Sequence, residues 1–126
     1  MTVELLKCEG CGKMVLEVVG SACPTKCCGE PMVELVPNTS EGAGEKHIPV
    51  VKVEGNKVTV QVGEVLHPMM EAHFINFIIL ETTQGYQKKD LKPGEQPCAE
   101  FALAENEKAV AAYEFCNLHG FWKTEI

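Results

Sequence analysis

At 126 residues the chain has room for one ordinary domain, or for a small domain with a metal-stapled appendage too short to hold itself together by burial alone. Its 18 carboxylates against 11 Lys and Arg give a formal net charge of −7 with no run of like charges, which argues against nucleic acid as a partner. The longest apolar stretch, Phe74 to Leu80, is far too short to cross a bilayer, and Met1 to Lys13 has neither the apolar core nor the cleavage site of a signal peptide; the expectation is a soluble cytoplasmic protein with no membrane partner.

Five of the seven cysteines lie between Cys8 and Cys28, whereas all four histidines come after residue 46. In a reducing compartment such thiols read as metal ligands rather than as disulfides, and the odd count agrees. Cys8-Glu9-Gly10-Cys11 and the adjacent pair Cys27-Cys28 stand fifteen residues apart, enough for the chain to loop out and return both pairs to one ion. Four thiolates suit iron or zinc. A zinc ribbon ordinarily presents a second CxxC, so neighbouring cysteines favour iron. A module of about 36 residues buries too little to offset its chain entropy, so bound metal would supply its folding free energy. Cys23 and Cys98 read as free thiols, with Cys23 an alternative to Cys27. The turn-forming run from Pro37 to Gly44 then marks a boundary, dividing the chain into residues 1–36 and 37–126.

Beyond it, Val50-Val51-Lys52-Val53 and Lys57 to Val62 flank Glu54-Gly55-Asn56 and predict a hairpin. Phe74 to Leu80 continues the β-rich character, and Gly85, Pro93-Gly94 and Pro97 punctuate the next stretch, predicting an antiparallel sandwich. Ala102 to Phe115, rich in Ala, Glu and Lys, dissents and on propensity alone predicts a helix.

The histidines occur in distinctive settings: Glu45-Lys46-His47, Leu66-His67-Pro68, Glu71-Ala72-His73 and Cys116-Asn117-Leu118-His119-Gly120. His67 and His73 are close enough to bend toward one point, and Cys116-x-x-His119 is a compact thiolate and imidazole pair. Together the five form a candidate mixed site. Four imidazoles and one thiolate exceed what zinc takes but suit iron, which accepts five protein ligands and keeps a sixth position open.

Over essentially its whole length the chain resembles desulfoferrodoxin, the two-iron form of superoxide reductase. Cys8-x-x-Cys11 through Cys27-Cys28-Gly29-Glu30-Pro31-Met32 resembles the desulforedoxin-like module with its Fe(Cys)₄ centre. Glu45-Lys46-His47-Ile48-Pro49, His67-Pro68-Met69, His73 and Cys116 through Trp122 resemble the neelaredoxin-like catalytic domain. The resemblance implies an all-β chain, the small metal-stapled module followed by an immunoglobulin-like β-sandwich, with two irons: one on Cys8, Cys11, Cys27 and Cys28, the other on equatorial His47, His67, His73 and His119 with Cys116 as axial thiolate.

The activity so implied is one-electron reduction of superoxide to hydrogen peroxide, a detoxification of oxidative stress, with a rubredoxin-like electron donor and a homodimeric assembly. Since substrate and chain are both negative, attraction must be local, and Lys46 beside His47 is the candidate. Glu45 corresponds to the family's glutamate that ligates the ferric resting state. Rival readings are a non-catalytic iron electron-transfer protein, a zinc-binding interaction module and a superoxide dismutase; the first iron is either an electron relay or a folding staple.

Overall fold

The computed structural model describes residues 3–126. Met1 and Thr2, which open the predicted 1–36 module and the Met1 to Lys13 segment, lie outside the described residues. Two compact units meet between Val36 and Pro37. The fold class is all-β, with a Cys₄ cluster in the small first unit and a β-sandwich in the second.

In the first unit, β1 (Leu5–Lys7) pairs antiparallel with β2 (Met14–Leu16) on one side. β3 (Lys26–Cys27) and β4 (Glu30–Pro31) form a minimal hairpin, and β5 (Val33–Glu34) closes the first sheet by pairing with β1. The hairpin turn is Cys28-Gly29, with φ of 54° and 78°, the positive pair that a two-residue turn between twisted strands demands. Val3, Leu5 and Cys8 are the buried apolar side chains among the unit's described residues. Three such residues are a weak core, so a ligand that ties the turns together matters here.

The second unit begins with one helical turn, α1 (Gly44–His47), followed by β6 (Pro49–Glu54) and β7 (Lys57–Val62). The expected hairpin is present, turning at Gly55, whose φ is +61°. β8 (Ile75–Thr82) and β9 (Gly85–Asp90) form a second hairpin; β10 (Cys98–Ala102), β11 (Ala109–Cys116) and β12 (Gly120–Glu125) complete the unit. Two antiparallel sheets result, in the orders β10-β7-β6 and β12-β11-β8-β9. Val58, Val60 and Val62 of β7 alternate inward against Ile78, Leu80, Ala112 and Cys116 of the other sheet, with Phe101 and Leu103 filling the same core.

The helix predicted for Ala102 to Phe115 is not formed; Leu103 to Lys108 makes the turn into β11. β11 lies between β8 and β12 and is hydrogen-bonded on both edges. Ala and Glu favour helix by only a few tenths of a kcal/mol per residue, roughly. Burial of Ala111, Ala112, Tyr113, Phe115 and Cys116 outweighs that preference.

Candidate metal centres

Each of the predicted ligand sets converges. Cys8, Cys11, Cys27 and Cys28 place their sulfurs within 4.8 Å of one another, and so do the ligand atoms of His47, His67, His73, Cys116 and His119. Cys23 is exposed and Cys98 sits in β10; neither joins a cluster.

The cysteine cluster is built from two turns. After β1 the chain folds back so that the Gly12 amide donates to the Cys8 carbonyl at 2.8 Å and the Cys8 amide to the Lys13 carbonyl at 2.8 Å. In the facing turn, the left-handed backbone of Cys28 lets two neighbouring cysteines present both sulfurs on one side. The backbone amide of Cys11 holds the Cys8 thiol well below its ordinary value, whereas a hydrogen bond with Cys8 pushes Cys27 up. A cation bound among the four sulfurs would favour the thiolate form of each.

The histidine cluster draws on three segments of the second unit. His47 ends α1, His67 and His73 lie in the β7–β8 loop, and Cys116 and His119 flank the β11–β12 turn. Neighbouring rings meet nearly edge to face: His47–His67 at 4.8 Å, His67–His73 at 4.5 Å, His73–His119 at 4.9 Å and His119–His47 at 4.8 Å. The His47–His73 separation of 6.5 Å is close to the diagonal of a square with such sides. Cys116 Sγ lies 3.4 Å from His67 Nε2 and 3.9 Å from His119 Nδ1.

The outer contacts fix the proton positions. His47 Nδ1–H donates to the Ala43 carbonyl at 2.8 Å, and His67 Nδ1–H to the Pro68 carbonyl at 2.6 Å. With Nδ1 protonated, each neutral ring turns a bare Nε2 inward, and these two Nε2 atoms face each other at 3.2 Å. His119 differs, turning Nδ1 inward to 3.1 Å from His47 Nε2. Among the described residues His73 Nε2 is buried without a hydrogen-bond partner. Lone pairs converging on a point with no proton between them fit a cation, and the mixed imidazole and thiolate set suits a transition metal. Burial favours the neutral form of three of the rings: it pushes His67 down to about 4 and lowers His47 and His73, with the neighbouring imidazoles adding to the effect. Burial also raises the Cys116 thiol, against the opposing backbone amides of Leu118 and His119.

The desulfoferrodoxin family model matches residues 39–125. The chain belongs to the desulfoferrodoxin family. A desulfoferrodoxin from Nitratidesulfovibrio vulgaris is 45% identical over 97% of this chain and 95% of its own length. The crystal structure of the superoxide reductase from Treponema pallidum superposes with a TM-score of 0.82 at 35% identity, covering 98% of each chain. A superoxide reductase (1Fe-SOR) from Giardia intestinalis aligns with 65% of this chain and 97% of its own, at 33% identity and a TM-score of 0.56.

In this member of the family Glu45 and Lys46 are both exposed on α1, within one turn of His47. Lys46 is near enough to act electrostatically on His47 and His73. Glu45 lines a surface cavity of about 290 Å³ with Gly44, Ile48, Val50 and Glu64, and its carboxylate stands outside the ligand cluster. A Cβ on Gly63 would lie 2.7 Å from both the Glu45 carbonyl oxygen and the Lys46 carbonyl carbon, so the bare Gly63 backbone seats α1. The Val65 amide then donates to Glu45 O at 2.9 Å.

Sequence reasoning gives no role to Gly63, Trp122 or Glu114. Glu114 is fully buried, its two carboxylate oxygens lack partners among the described residues, and burial pushes it up to about 9. A charged residue two positions before Cys116, on the same strand face, was the available signal.

Proposed function

We propose that the chain is a superoxide reductase, with iron held by His47, His67, His73, Cys116 and His119 and a second iron held by Cys8, Cys11, Cys27 and Cys28. The observation that carries the reading is the square of four imidazoles with unprotonated nitrogens turned inward and one thiol beside them. Superoxide reductases among the similar structures support it. Ferrous iron in that site supplies one electron, which with two protons converts superoxide to hydrogen peroxide.

The chain's own residues do the rest. Lys46 provides the local positive charge that draws an anion toward a protein of net charge −7. Its ammonium also orders the water from which a proton reaches the substrate oxygen. The Ala43 and Pro68 carbonyls hold the His47 and His67 rings in the tautomer that keeps Nε2 free. Glu45, on the same turn as Lys46, is the carboxylate that would serve as a further ligand to the oxidised ion. A rubredoxin-like carrier returns the electron, and the working assembly is a homodimer.

Product stoichiometry tests the activity. The purified, reduced protein is expected to contain two irons per chain and to yield peroxide from superoxide without releasing dioxygen. Dioxygen in the proportion of dismutation, or two irons with no consumption of superoxide, removes the assignment.

A further inference from the structure

We propose that Trp122 is the positioning residue that holds His47 and His119 together; the inference rests on the reading of their cluster as a metal site. The indole stacks on the His47 ring with centroids 5.0 Å apart and planes 20° from parallel. Its Nε1–H donates to the His119 carbonyl at 3.0 Å. One side chain thus touches two ligands that lie 72 residues apart in sequence and whose inward nitrogens are 3.1 Å apart.

His47 rides on a single helical turn, and His119 on the β11–β12 turn just before Gly120, whose φ is +83°. Neither support is stiff by itself. Trp122 is, because β12 pairs it across to Glu114 of the central strand and leaves it 5% exposed. Through the stack it fixes the tilt of the His47 ring, and through the N–H it fixes the height of the His119 turn. Both contacts suit this residue type, since the indole combines a broad face for stacking with an N–H donor on its edge. Phenylalanine keeps the face and loses the donor; leucine loses both.

The test uses the iron-loaded full chain and a ferrous chelator, tracking the Cys116 thiolate-to-iron absorption as iron leaves. Trp122→Leu should lower the chelator concentration that strips half of this site by roughly 10- to 100-fold, the range found when groups that orient metal ligands are removed. Trp122→Phe should fall between that variant and the parent. Identical retention in all three proteins overturns the assignment, and so does a Phe variant that matches either extreme. If circular dichroism shows that the Leu variant does not fold, the Phe variant decides alone, parental retention being the overturning result. No superoxide enters this measurement, so failure of the proposed activity and failure of the Trp122 role are separable. A parent protein with no iron-thiolate band at Cys116 refutes the metal site itself, and the Trp122 role with it.

Discussion

Lys46 carries the sharpest consequence at the level of single residues. It is exposed, close enough to act electrostatically on His47 and His73, and stands on an acidic protein, so under the proposed function its contribution to substrate capture would be electrostatic and open to salt. Lys46→Ala is expected to slow the second-order reaction with superoxide by about 10-fold at low ionic strength and to flatten its salt dependence. Pulse radiolysis at several salt concentrations measures both, and an unaltered rate removes Lys46 from the mechanism. Tyr113 governs a different property. Its hydroxyl donates to Glu81 Oε1 at 2.7 Å, and burial, with Glu81, pushes its pKa from 10.0 up to about 12. Between those values the unfolded chain has released the proton that the folded chain keeps. Stability therefore falls as pH rises through that window, by at most about 1.4 kcal/mol per pH unit for one proton. Tyr113→Phe should flatten this alkaline slope in urea titrations; a slope that survives the substitution has another source.

Among the elements, the single turn of α1 is the most consequential, since its four residues carry Glu45, Lys46 and His47. Propensity cannot hold one helical turn. The turn is held by Gly63 pressed on its backbone and by the Val65 amide on Glu45 O. Gly63→Ala inserts a methyl where the Glu45 and Lys46 backbone stands, and overpacking of this kind costs about 1–3 kcal/mol. A lowered melting temperature of the metal-free protein is the expected result, and an unchanged one shows the contact to be slack. The same element shows what a sequence reveals and what it conceals. His47 was legible because histidine and cysteine are scarce and chemically pointed, and each of the nine residues singled out as ligands lies in one of the two clusters. The β6–β7 hairpin was legible from alternation around Gly55. β11 was not, because helix propensity is local whereas pairing with β8 and β12 is not. Gly63 was silent, and Trp122 entered only as the end of a motif with no role of its own, the importance of both depending on what the fold sets against them.

Taken as a whole, the molecule keeps its two clusters in separate compact units of very different self-sufficiency. The second has a continuous apolar core, the first few buried side chains among its described residues. Exhaustive chelation should therefore unfold the first unit while the sandwich persists, read by amide exchange: β1 to β5 lose protection and β7, β8 and β11 keep it. Protection retained throughout the first unit would show that it folds without metal. The spacing of the ligands bears also on how the protein is made. Cys8 to Cys28 leave the ribosome as one short stretch, and their site can fill while synthesis continues. The ligands of the other are complete only once Cys116 and His119 have been added and β12 can pair with β11, so in the nascent chain the cysteine ligand set is assembled first.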